Sequence, residues 1–170
     1  MESLPDSPDW IDVALARYGP ALARYAASIV GDPDTARDVV QDTFVRLCRA
    51  DPGQLDGHLA EWLFTVCRNR ALDMQRHHSR LTALPGPDEI EALHPDPSPD
   101  AAAEHHDTAR LALELLRSLP PRQQEVVRLK FQAGLSYAEI AGITRLSVAN
   151  VGFILHSALK TLRRRMLQAL

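Results

Sequence analysis

Only two cysteines occur in the chain, Cys48 and Cys67. They form neither a CxxC pair nor a Cys/His ligand set, which excludes a disulfide framework and a zinc site and leaves two reduced, partly buried thiols as the expectation. The adjacent histidines His77-His78 and His105-His106 would point about 100° apart on a helix, and no further ligands converge on them in sequence. Solvated histidines are expected, with no metal and no cofactor. No stretch approaches the ~18 uninterrupted apolar residues of a membrane span, and the opening MESLPDSPDW is acidic where a secretory signal is basic and then apolar. A cytoplasmic protein without membrane insertion is expected. A glycine-rich phosphate loop, a nucleophile elbow and a carboxylate pair in a catalytic setting are all missing, which argues against an enzyme. Aromatic residues make up 5% of the chain against 45% hydrophobic residues in all, so the cores are expected to be aliphatic and helical, in one domain or two small ones.

The formal net charge of -3 conceals an uneven layout. Residues 1–80 carry nine Arg against twelve acids, residues 81–109 carry seven acids and no Lys or Arg, and residues 110–170 carry ten basic residues against three acids. A mildly acidic protein thus ends in a strongly basic module, the electrostatic footprint of a nucleic-acid partner.

The first module, residues 1–80, reads as helices. One begins at Asp9 and runs to about Tyr18; a second runs from Pro20 to Val30 with Leu22, Tyr25, Ala26 and Ile29 on one stripe. Gly31-Asp32-Pro33 is a turn, and the next helix carries DVVQDTFVRL from Asp38 to Leu47. Val40, Phe44 and Leu47 make a core-facing stripe at i, i+4, i+7, while Asp38, Gln41, Asp42 and Val45 share another face. Acceptors around an apolar residue suit docking to a basic partner, although a solvated flank has the same composition. Asp51-Pro52-Gly53 is a further break before a helix from about Leu59 to Arg80, whose Leu59, Leu63, Val66 and Arg70 face or border the core.

Five prolines between Pro85 and Asp107 and an HPDPSP run mark residues 81–107 as a flexible acidic linker. The second module, residues 108–170, restarts near Thr108 with Leu111, Leu115 and Leu116 on one face and breaks at Pro120-Pro121. The helix that follows ends at Gly134, a left-handed cap. Ser136 with Glu139 forms a capping box for a short helix from Tyr137 to Gly142, and Ser147 caps a final helix that runs to the basic tail Arg163-Arg164-Arg165. Short helix, tight turn, longer helix is a helix-turn-helix layout. Its N-terminal turns place Ser147, Val148, Ala149, Asn150, Val151 and Phe153, with His156 one turn on, where base edges are read; Tyr137 and Arg145 flank them. Asn150 suits adenine. Phe153 and Ile154 read either as contacts or as core, and Val151, Leu155, Ala158 and Leu162 already supply a core stripe.

Taken in order, DVVQDTF, the WLFTVCRNRALD helix that begins at Trp62, and the terminal GLSYAEIAGITRLSVANVGFILHSALKTL resemble the extracytoplasmic-function group of the sigma-70 family, the dissociable promoter-recognition subunits of bacterial RNA polymerase. The resemblance implies an all-α protein of two small domains, in which a region 2-like bundle binds core polymerase through Asp38, Gln41, Asp42 and Val45. It implies that the Trp62 to Arg76 helix and the loop from Asp51 to His58 engage the upstream promoter element as it melts, with Asn69 near a flipped base and Arg68, Arg76 and Arg80 on phosphates. Trp62 reads as core or as a stacking platform, with core the better fit. A linker that threads the polymerase channel later used by RNA, and an anti-sigma factor as a further partner, belong to the same implication. Two departures stand out: Gly152, Ile154, Ser157 and Leu159 replace residues that are commonly basic, and Arg145 occupies the turn where many relatives have glycine. The function implied is promoter recognition and strand opening for RNA polymerase. Two other classes compete with it: a sigma-like adaptor that binds polymerase or a regulator without reading DNA, and a stand-alone helix-turn-helix regulator, against which the DVVQDTF helix argues.

Overall fold

The computed structural model describes residues 9–81 and 103–169, and every regular element among them is helical. Most of the segment expected to be a linker, residues 82–102, lies outside the described residues. The chain divides into two compact units, the first built on the helices before that segment, the second on those after it.

Helix α1 spans Asp9–Val30 without a break. An interruption at Pro20 was the sequence expectation, since proline inside a helix removes one hydrogen bond and crowds the preceding turn, at about 3 kcal/mol. Burial on both sides of the proline outweighs that. Trp10 and Ala14 before it and Leu22, Tyr25 and Ala26 after it are all buried, against helices α2 and α4 (Pro33–Arg49 and Leu59–Leu81). Pro20 itself lies on the exposed side.

Gly31 turns the chain at φ 77°, a left-handed conformation that favours glycine. Asp32 then caps α2: its carboxylate accepts from the Thr35 backbone N–H at 2.8 Å and from the Thr35 hydroxyl at 2.5 Å, which holds its carboxyl below the usual carboxylate range. Ala36, Val39, Thr43, Phe44 and Leu47 are the buried residues of α2. Val39 rather than Val40 is therefore the innermost valine, and Val40 is half-buried. The buried Thr43 hydroxyl donates to the Val39 carbonyl at 2.8 Å, so no polar atom there is stranded. The expected break at Asp51-Pro52-Gly53 is a single helical turn, α3 (Pro52–Leu55), capped by Asp51 and anchored by buried Leu55. Helix α4 buries Leu63, Phe64, Cys67 and Ala71, and the Phe64 and Tyr25 rings pack at 5.6 Å and 55°. Trp62 and Val66 are half-buried.

Helix α5 (Ala103–Arg117) begins before the Thr108 start expected from the sequence. The Gln124 side-chain amide bridges the turn that follows, donating to the carbonyls of Arg117 at 3.0 Å and Leu119 at 2.7 Å. Helix α6 (Pro121–Val127) runs into one π-helical turn, Arg128–Gln132. That turn buries Leu129 and leaves Phe131 60% exposed. Gly134 ends it at φ 69°, and the Ser136–Glu139 capping box is formed in both directions, at 3.1 and 3.3 Å, to open α7 (Tyr137–Thr144). Arg145 then occupies the left-handed region at φ 59°, ψ 34°, and the chain turns through 102° into α8 (Val148–Ala169), within the range of a helix-turn-helix. Ser147 caps α8 by accepting from the Asn150 N–H at 3.1 Å. Val151, Leu155 and Ala158 form its buried stripe, Leu162 is half-buried, and α8 packs on α5 and α6. The Arg165 guanidinium donates to the Ser118 carbonyl at 2.8 Å and to the Ser118 hydroxyl.

The two cysteines differ. Cys48 is exposed, contrary to the expectation of a partly buried thiol, while Cys67 is fully buried and its thiol is pushed up to about 12 by that burial. At pH 8 one equivalent of a thiol reagent should react with the native protein, at Cys48, and a second only in denaturant. Rapid native labelling of Cys67 would contradict the packing of α4 against α1 and α2. At the second unit, Arg145→Gly removes a side chain from a left-handed turn and should stabilise the motif by about 1 kcal/mol. Slower amide hydrogen exchange in α7 and α8 of the variant measures this; unchanged or faster exchange would contradict it.

Candidate nucleic-acid interface and docking face

Burial of Val39, Thr43, Phe44 and Leu47 turns the opposite side of α2 outward. Asp38, Gln41 and Val45 are exposed, Val45 at 45%, so a carboxylate, an amide and an apolar side chain share one accessible surface. Asp42 differs: it is half-buried, and its carboxylate accepts from Arg70 Nε of α4 at 2.7 Å. This side of α2 is therefore a mixed one, with a cation of the same chain beside its second carboxylate. Nothing local in the sequence announces this pair, because the partners lie 28 residues apart on different helices. Both remain substantially solvated, so the pair orients side chains more than it stabilises the fold.

On α4, Asn69, Arg76 and Arg80 are exposed, and their spacing puts them on a single line of the helix together with Asp73. Arg76 donates to the Asp73 carboxylate at 3.2 Å and to the Leu72 carbonyl at 3.3 Å. Arg68 is half-buried and about 100° around the helix from Asn69. The structure thus groups three of the four α4 candidates and sets Arg68 apart. Gln75 fixes the neighbouring face by donating to the Ile29 carbonyl at 3.0 Å.

The helix-turn-helix presents Tyr137, Arg145, Ser147, Val148, Asn150, Phe153 and His156 at its surface. Phe153 is 70% exposed, so of its two readings the core one fails; Ile154 is half-buried. The Tyr137 ring lies against Gly152, where an added Cβ would stand 3.6 Å from it, and beneath the Lys130 ammonium at 5.2 Å. This cation–π contact ties the π-helical turn to the start of α7, beside Gly152 of α8. Of the basic tail, Arg163 and Arg164 are exposed, whereas Arg165 is committed to Ser118 at the end of α5. Lys160, one turn earlier, is exposed as well. Among the described residues no three His, Cys, Asp or Glu side chains are grouped as a metal ion would need. No single described helix is long and apolar enough to cross a membrane.

Comparison with known proteins agrees with this geometry. The family model of sigma-70 region 2 matches residues 14–81, and that of sigma-70 region 4 matches residues 109–162. The ECF RNA polymerase sigma factor SigE of Mycolicibacterium smegmatis is 30% identical over 92% of the chain, which spans 61% of that protein's length. The RNA polymerase sigma-E factor of Streptomyces avermitilis is 33% identical over 86% of the chain and 79% of its own length. A solved structure of CnrH in complex with the cytosolic domain of CnrY is similar at 28% identity and a TM-score of 0.63, covering 96% of this chain and 91% of that one. With both regions matched in order and relatives aligned over most of the chain, this protein belongs to the extracytoplasmic-function group of the sigma-70 family.

Proposed function

We propose that the chain is a promoter-recognition subunit that binds core RNA polymerase in the cytoplasm, directs it to promoter DNA and assists strand opening, with catalysis left to the polymerase. The observation that carries this reading is the exposed Asp38, Gln41 and Val45 face in the same chain as a helix-turn-helix. A stand-alone regulator needs only the second. The division of labour follows the chain: residues 1–80 for core binding and the melting element, residues 108–170 for the upstream element, and residues 81–107 as the connection. Asn69 is assigned to an unstacked base and Arg68, Arg76 and Arg80 to the backbone of the separated strand. The CnrH structure contains the cytosolic domain of CnrY, which supports a protein partner for this chain as well, read here as an anti-sigma factor.

Asp38 is exposed and makes the cleaner test of docking, because substitutions at such sites usually change stability by less than ~0.5 kcal/mol. Asp38→Arg should lower co-purification with core polymerase at least about tenfold, with unchanged helicity, since like charges across an interface cost several kcal/mol and about 1.4 kcal/mol is already tenfold. Asp42→Arg should do the same and also set two cations together at Arg70. Core binding unaffected by either reversal would remove the α2 assignment.

Without polymerase, the whole chain should bind promoter duplex weakly and with a shallow salt dependence. Arg145, Lys160, Arg163 and Arg164 are the exposed cations of the turn and α8, and at about 0.9 per phosphate the log–log slope should be no steeper than about -4. Tethering through polymerase raises the effective concentration of this weak contact. Tight, sequence-specific and steeply salt-dependent binding by the chain alone would favour the stand-alone regulator, and promoter use that ignores Asn150→Ala and Phe153→Ala alike would favour the adaptor.

A further inference from the structure

The uncharged stretch of α8 has a chemistry of its own. From Leu146 to Leu159 the sequence LSVANVGFILHSAL holds no Lys, Arg, Asp or Glu. Asn150 and Phe153, at i and i+3, share its outward side, Phe153 being 70% exposed, whereas Val148, 51% exposed, lies about 140° around the helix from Phe153. Cations bracket the stretch: Arg145 stands in the turn before it, and Lys160 and Arg164 follow it. Along the sequence the uncharged stretch is thus flanked by exposed cations suited to phosphates, and its outward residues are left for base edges.

Each base asks for different chemistry there. Guanine is most often read by Arg or Lys on O6 and N7, adenine by Asn on N6 and N7, and thymine by apolar contact with its C5 methyl group. On this side, before Lys160, α8 offers no Arg or Lys but Asn150, His156 and one large apolar side chain, Phe153, that stays hydrated until an apolar partner covers it. We propose that this recognition helix reads A·T pairs in the upstream promoter element, with Phe153 packing on a thymine methyl and Asn150 pairing with adenine, and that no Arg or Lys contact to guanine sets its specificity. The inference rests on the proposed role in promoter recognition and names the base chemistry that role uses.

Holoenzyme assembled from the full chain and core polymerase provides the test. A promoter library randomised in the upstream element is selected for transcript initiation, and single thymines of the selected element are then replaced by deoxyuracil, which lacks only the methyl group. The selected element should be A·T-rich, and each contacted thymine should lose about fourfold in initiation on replacement, the effect of one buried methyl group. Phe153→Ala should bring the thymine-to-uracil ratio at its contact close to one, while Phe153→Leu keeps most of it; the exposure of Phe153 leaves folding intact in both. A required G·C pair in the element overturns the methyl readout and leaves the initiation role standing. Equal initiation from thymine and uracil templates, with Phe153→Ala still defective, likewise overturns it and assigns Phe153 to a protein contact. Failure of the chain to join core polymerase or to start any transcript would remove the underlying reading together with the inference.

Discussion

One-sided burial of a helix is the constraint on which both candidate interfaces depend. In α2, committing Val39, Thr43, Phe44 and Leu47 to the core leaves Asp38, Gln41 and Val45 no position except the surface, because side chains four residues apart share a face and those two apart do not. In α8, Val151, Leu155 and Ala158 are committed, and Asn150, Phe153 and His156 are turned out by the same rule. A change of one residue in either register would bury a carboxylate or an amide and expose a leucine, each at a cost of kilocalories. The core thus acts as the positioning device for the surfaces.

Electrostatics refine what packing sets out. Arg70 stands 2.7 Å from Asp42, so the outer side of α2 offers one exposed carboxylate, Asp38, and one already oriented by an internal cation. Asp73 plays the opposite part for Arg76 on α4, at 3.2 Å. Both surfaces are thereby moderated in charge. Helix α8 carries this further, with no charged residue before Lys160.

Much of this was legible in the sequence, for identifiable reasons. Capping is local chemistry, and the Ser136–Glu139 box and the Ser147 cap stand where the residues announce them. Positive φ at Arg145 follows from its place in a helix-turn-helix turn. The failures also have causes. Pro20 looked like a helix end because local propensity speaks for a break, and only the shared packing of both halves of α1 speaks against it. The choice of Val39 over Val40 as the inner residue is a matter of a 100° step, which a short apolar run leaves open. The Asp42–Arg70 pair and the Arg165–Ser118 contact join residues 28 and 47 positions apart, beyond any local pattern. The π-helical turn that sets Phe131 outward left no mark in the residue types.

The central claim, that the chain confers promoter choice on a polymerase it docks through α2, is tested most directly by transcription from genomic fragments with core polymerase alone and with the chain added, mapping every 5′ end. The account predicts discrete new start sites that appear only when both components are present and that share a sequence at a fixed upstream distance. Start sites identical with and without the chain, in the presence of a complex shown to have formed, would contradict it.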